Sequence, residues 1–138
     1  MKWTFDHSQL PSYVKVSVEG QASVDGARAL LDQLIESEFW HPGMSVLVDI
    51  SGLSAIGTDK HAILQDLIRY FVEHKQIIGK SCVATVRPSP DAYNNIRQFE
   101  YGIRLRGSEV VVRNFMNVHN AAEWLTNHAG MCGVDAQA

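Results

Sequence analysis

The residue types that could do chemistry in this chain are six histidines, two cysteines, one loop rich in hydroxyl and acid groups, and a loose set of arginines and tyrosines. The histidines are His7, His41, His61, His74, His119 and His128. None forms the one-turn His-x3-His pair or the HExxH helix of zinc enzymes. His119 and Glu123, four apart, can share a helix face. A catalytic metal takes three protein ligands, so the plain reading is surface histidine and no metal site is expected. Cys82 sits in an apolar run and reads as a small buried hydrophobe. As a nucleophile it would need a neighbouring histidine and an electropositive setting. Cys132, near the end of the chain, reads as exposed. Two cysteines without CxxC spacing support neither a disulfide scaffold nor a cysteine zinc site. The chain has no GxSxG elbow and no glycine-rich phosphate loop, since Gly52, Gly57, Gly102 and Gly107 stand alone. No base, nucleophile and stabiliser come together, so a non-catalytic chain without a cofactor is expected.

The arginines offer more. Arg97 and Arg104 are seven apart, about two helical turns, and share a face. Arg106 and Arg113 follow, Arg87 opens the preceding loop, and Tyr93 and Tyr101 flank the set. Arg87, Tyr93 and Arg97 are candidates for a patch that binds an anion, a phosphate or an acidic partner. The competing reading is a solvated helix face with stray ion pairs.

Elements must hold these residues in place. Trp3 to Asp6 reads as a short strand. Tyr13 to Glu19 alternates with period two, Val14, Val16 and Val18 facing one way, so it reads as a half-buried strand paired antiparallel with the first. Ser23 to Phe39 is helical, with Leu30, Leu31, Leu34 and Ile35 on one stripe, Ser23 as its cap and Asp25 at the positive end of the helix dipole. Ser45 to Ile50 is a continuous apolar run suited to a strand covered on both faces. A helix follows from Asp59 to Lys75, and Cys82 to Val86 is the next buried strand. Ser89-Pro90-Asp91 is a helix start, with a capping serine and proline at the first helical position. That helix turns Tyr93, Ile96, Phe99 and Ile103 inward. Glu109 to Arg113 is the last strand and Asn117 to Thr126 the last helix, with Trp124 sealing it to the sheet. Tyr70 and Phe71 sit where a dimer partner could pack if they are exposed.

Strands alternating with helices imply an α/β fold with a mostly parallel sheet and an antiparallel N-terminal edge strand. Sites in such folds gather where strands end and helices begin. Three loops qualify: Ser51 to Asp59, Arg87 to Asp91, and Asn114 to Asn117. Residues 1–127 read as one domain and 128–138 as a flexible tail of small and polar residues.

Composition narrows the function classes. With 46% hydrophobic and 20% charged residues the chain is not disordered. A net charge of -3 excludes a global basic field for nucleic acid. No apolar run approaches the roughly 18 residues of a membrane span, and the opening MKWTFDHSQ lacks the apolar stretch of a signal peptide, so a cytoplasmic protein is expected.

The stretch VLVDISGLSAIGTDKHAIL, Val46 to Leu64, resembles the central segment of STAS domains, the family of bacterial anti-sigma factor antagonists. There an apolar strand ends in Asp-Leu-Ser-Gly, and an Ile-Asp and a phosphorylatable serine or threonine precede the next helix. Here the strand ends Asp49-Ile50-Ser51-Gly52 and the loop runs through Ser54 to Gly57-Thr58-Asp59. The chain is more closely similar to the SpoIIAA-like branch. Tyr93 with Arg97, the strand from Glu109 to Phe115, and Ala121-Ala122-Glu123-Trp124-Leu125 carry that likeness. The resemblance implies a STAS/SpoIIAA-like β-α superhelix and a regulatory role in binding a partner protein. It also implies a partner or switch loop at Ser54, Thr58 and Asp59.

The loop departs from the switched antagonists, because Gly57 replaces the aspartate and Asp59 follows the hydroxyl of Thr58. A phosphate on Thr58 would lie beside a fixed negative charge, although the helix start favours an anion. The plainer reading is that Thr58 or Asp59 is a helix cap, and a third is that Asp59 is a permanent charge where relatives switch one on. The expectations are an unidentified protein partner, a homodimer as small domains often form, and alternatively a small anionic or lipid-like ligand.

Overall fold

The structure is a computed structural model. It describes residues 1–54, 59–87 and 90–134, with the side chains of 90–93 and 129–134 left out. The described elements are β1 (Lys2–Asp6), β2 (Val14–Gln21), α1 (Val24–Ile35), β3 (Val46–Ser54), α2 (Lys60–Glu73), α3 (Lys75–Ile78), β4 (Cys82–Val86), α4 (Pro90–Arg104), β5 (Val111–Phe115) and α5 (Val118–Val134). The sheet order is β1-β2-β3-β4-β5. β1 pairs antiparallel with β2, and every later pair is parallel, as the alternation of elements requires.

Local chemistry sets the helix starts. Ser23 is extended, and its hydroxyl accepts from Gly26 N at 2.9 Å to cap α1. Pro90 opens α4, where its missing N–H costs nothing.

The two faces of the sheet are covered unequally. On one, Val14, Val16 and Val18 of β2 pack with Leu30 and Leu34 of α1 and Val46 of β3. Continuing that face, Ile68 and Phe71 of α2 meet Phe99 and Ile103 of α4 over Val110 and Val112. Tyr70 is fully buried and Phe71 nearly so, so this pair belongs to the core and not to an exposed interface. On the other face, Ala121 and Leu125 of α5 cover Leu47, Cys82, Ala84 and Val86. Over β1 and β2 the same face carries Lys2, Thr4, Asp6, Lys15, Ser17 and Glu19, all exposed or half-buried. Their polarity follows from α5 lying over β3, β4 and β5.

Several element ends differ from the sequence expectation. α1 stops at Ile35, with Glu36 as its C-cap, and not at Phe39. β3 runs to Ser54, because Gly20 and Gln21 of β2 continue to pair with Leu53 and Ser54 past a register shift between Ser17 and Glu19. β5 starts at Val111, whose N–H meets Ser81 O at 3.0 Å. α5 continues past Thr126 to Val134, so most of the segment expected as a tail is helical. His128 carries the helix on: its Nδ1 lies 2.8 Å from Trp124 O and its ring 5.5 Å from the indole.

The two sheet edges are finished differently. Along β5, the Glu100 carboxylate of α4 accepts from Val112 N at 2.7 Å, satisfying a strand donor that has no neighbouring strand. Glu100→Ala should therefore destabilise the fold by about 2 kcal/mol, the usual worth of a hydrogen bond to a charged group. Glu100→Gln, which keeps an acceptor, should lose less than half of that, and urea titration of both variants checks the order.

Candidate functional site

The parallel strands β3, β4 and β5 end on one rim of the sheet, where fold geometry concentrates binding sites. β3 pairs with β4 only as far as Asp49 against Val86. Its last residues project beyond the β4 ladder and pair in the sheet with β2. Ser51 sits in this projection, with its N–H on Asp49 Oδ1 at 3.0 Å and its Oγ 3.4 Å from Val86 O. Ser54 is a half-buried strand residue and not a loop residue, and its carbonyl accepts from Ala22 N at 2.8 Å. Thr58 lies outside the described residues. Asp59 is exposed, and its Oδ1 accepts from Ala62 N at 3.0 Å. Of the two cap candidates in the loop, Asp59 caps α2.

At the end of β4, Arg87 is half-buried and its N–H meets Phe115 O at 3.1 Å. Asn114 of β5 locks the two strand ends together. Its side-chain oxygen accepts from the Thr85 hydroxyl at 2.9 Å and its amide donates to Arg87 O at 3.4 Å. Sequence reading passed over this Thr85–Asn114 pair, because the two residues are 29 apart and neither type is distinctive. Just beyond it Met116 is 60% exposed, an apolar side chain standing on the polar rim.

Of the wider set of basic residues, Arg104, Arg106 and Arg113 stand apart from the Arg87 loop. The side chain of Tyr93 lies outside the described residues. Arg97 is exposed on α4 and engaged in an interaction of its own. Arg104 pairs with Glu100 at 3.6 Å, and Arg106 Nη1 donates to Gly102 O at 3.0 Å, both at the far end of α4 from Arg87. Arg113 stacks over Trp124 with its guanidinium carbon 5.4 Å from the ring, on the α5 side of the sheet.

The other chemistry-bearing residues stay separate. His119 and Glu123 meet at 3.6 Å on an exposed helix face. Among the described residues no group of three or more histidine, cysteine or acidic side chains could hold a metal. Cys82 is fully buried in β4 and disulfide-bonded, contrary to the expectation of an unbridged hydrophobe, so it is no nucleophile in this form. The side chain of its partner lies outside the described residues.

A cleft of about 780 Å³ runs from β1 across β2 to β3 and reaches the rim at Ser51 and Gly52. Its polar lining includes Lys2, Ser17, Glu19, Asp49 and Ser51, and neither Arg87 nor Arg97 reaches it.

No protein-family model and no curated protein matches the chain. Among solved structures it is similar to an uncharacterised protein of the DUF3478 family from Shewanella loihica, described as having a SpoIIAA-like fold. The match covers 90% of this chain and 92% of that one, at 18% identity and a TM-score of 0.57. No described helix is long and apolar enough to cross a membrane. With an antiparallel edge strand, four strands in parallel order and this neighbour, the chain has an α/β fold of the SpoIIAA-like, STAS type.

Proposed function

We propose that this protein is a non-catalytic interaction module that docks a partner protein on the rim formed by the ends of β3, β4 and β5 and the head of α2. Asp59 is the observation that carries the reading. The switched antagonists that this chain resembles present a hydroxyl at the head of this helix. Here an exposed carboxylate is fixed there by its bond to Ala62 N. The charge is permanent, so docking is constitutive and needs no phosphate on Thr58. Met116 adds an exposed apolar contact on the same rim, and Arg87 a cation. Such a mixture of one apolar anchor with opposite charges suits a protein surface.

Asp59→Asn separates the two roles of this residue. Asparagine caps a helix as well as aspartate does, so stability should stay within about 0.5 kcal/mol, whereas Asp59→Ala should lose about 1 kcal/mol. Partner binding should fall about tenfold or more in both variants, because the charge is gone from both. Quantitative affinity capture from native host extract, with wild type, Asp59→Asn and Met116→Glu compared, measures this. Equal capture of the same protein by all three would overturn the reading.

A small-ligand role draws support from the cleft beside β1 and β3. Glu19 and Asp49 against the single Lys2 make its lining unfavourable to an anion, and its polar floor suits a polar ligand better than a lipid-like one. A molecule seen on the protein by native mass spectrometry, and displaced by Ser17→Trp, would favour that role.

A further inference from the structure

We infer that β1 is a self-complementary edge through which two copies of this chain pair antiparallel, joining their sheets into one. The inference is independent of the rim reading and rests on different residues.

β1 is an outer strand of the sheet. On the opposite outer strand, β5, Glu100 takes the outward Val112 N–H. Among the described residues none plays that part on β1. An open edge offers alternate N–H and C=O groups to another strand.

The sequence of β1 fixes which strand fits. It reads Lys2-Trp3-Thr4-Phe5-Asp6. A two-fold axis at Thr4 sets Thr4 opposite Thr4 of the second copy. It then sets Lys2 opposite Asp6, and Trp3 opposite Phe5, twice each. Parallel pairing in register would instead set lysine on lysine and aspartate on aspartate. Like charges directly opposite are destabilising, and opposite charges and aromatic pairs are favourable.

The neighbouring strand extends the pattern. Within one copy Lys2 lies opposite Glu19 and Asp6 opposite Lys15. Across the joined edge one row therefore reads Glu19, Lys2, then Asp6 and Lys15 of the second copy. Charge alternates over four strands, and the two-fold repeats the row in reverse. The row stands on the uncovered polar face. Its acid is held ionised, because the Ser8 hydroxyl and the Ser8 N–H, 2.9 Å from Asp6 Oδ1, keep the Asp6 carboxyl below the usual carboxylate range.

The opposite face supplies the apolar part. Trp3 and Phe5 are half-buried against the α1 side of the core, Trp3 Nε1 donating to Gln33 Oε1 at 2.6 Å and the Phe5 ring meeting Phe39 edge-on at 6.3 Å. Pairing would cover Trp3 with Phe5 of the second copy. Such a contact through one five-residue strand is small, which makes it a concentration-dependent dimer and not an obligate one.

Cysteine scanning of the edge tests the register. Thr4 is exposed, so Thr4→Cys leaves the fold undisturbed. Residues directly opposite in an antiparallel pair have Cα atoms about 4.5 to 5.5 Å apart, inside the disulfide range. Thr4→Cys should form a disulfide-linked dimer on mild oxidation at least tenfold faster than Lys2→Cys, whose two copies stand more than about 13 Å apart. Mixing Lys2→Cys with Asp6→Cys should restore cross-linking between the two variants. Sedimentation of the wild type should show a dimer whose share grows with concentration and shrinks with added salt. Equal cross-linking rates at positions 2 and 4, or a wild type that stays monomeric over the full concentration range, would overturn the inference.

Discussion

Gly79→Ala is expected to destabilise this protein by about 3 kcal/mol, combining backbone strain with overpacking. Gly79 follows α3 with φ 70° and ψ -150°, a backbone region that side chains other than glycine's avoid. A Cβ there would lie 2.9 Å from Gly43 N and 3.0 Å from Pro42 Cβ. The first of these atoms is backbone and already committed, because Gly43 N donates to Ile78 O at 2.9 Å. The turn cannot yield without losing that bond and moving Ser81, whose hydroxyl meets the same carbonyl at 2.9 Å just before β4 begins. Gly107 provides the control. It also has a positive φ of 93°, but its Cβ would meet only the flexible end of Lys75 at 3.3 Å. Gly107→Ala should cost about 1 kcal/mol, the conformational part alone. Thermal unfolding of the pair measures the gap, with the Gly79 variant melting roughly 10 °C below wild type. Equal melting temperatures would mean that the turn at Gly79 relaxes freely.

Tyr70→Ala is expected to cost about 4 kcal/mol, the loss for a large buried aromatic side chain. Tyr70 is fully buried between α1 and α2. Its hydroxyl donates to Asp32 Oδ1 at 2.6 Å. Arg28 lies over its ring at 5.5 Å while bonding Asp66 at 2.9 and 3.1 Å, and His74 stacks on it at 4.1 Å. Tyr70→Phe keeps the ring and removes the hydroxyl bond, and should cost about 1 kcal/mol because exposed Asp32 is solvated in its place. The two variants differ in pH dependence as well. Burial first, and then the Asp32 bond, push the phenol well above its ordinary range. The raised value favours the neutral form in the folded state. Its stabilising effect is complete below the unfolded value near pH 10 and is lost as pH rises beyond it. Wild type should therefore lose stability in alkali more steeply than Tyr70→Phe. Parallel curves above about pH 10 would show that the hydroxyl does not govern the alkaline limb.

Signals that lie within a few residues of each other were legible in the chain. Cys82–Val86 runs over the same residues in sequence and structure, because a short apolar run covered on both faces needs no distant information. The caps at Ser23 and Asp59 and the proline start at Pro90 are equally local. The resemblance carried by Val46 to Leu64 pointed to the SpoIIAA-like fold that the solved neighbour shares. Long-range choices were not legible. The extension of β3 depends on a register shift in β2, and the later start of β5 on Ser81. The partner of the Tyr70 hydroxyl, Asp32, is 38 residues away. Thr85 and Asn114 gained a shared role only when parallel pairing set them side by side.

The sequence by itself determined the types and order of every element but the short α3, and most helix starts, because period, capping and turn chemistry act over a few residues. It also determined the palindrome of charge and aromatic residues in β1, which is a property of five consecutive side chains. The alternation of elements also placed this strand at a sheet edge; only the tertiary structure decided that Glu100 takes the outward Val112 N–H on β5 while no described residue does the same on β1. It also decided that Arg104 and Arg106 sit at the far end of α4 from Arg87 and Arg113 on the α5 side of the sheet, and that α5 leaves the β1–β2 face bare. The physical reason is that edges, faces and patches exist only after distant segments pack. Which side chains then share a surface depends on register and helix placement, which no local pattern encodes.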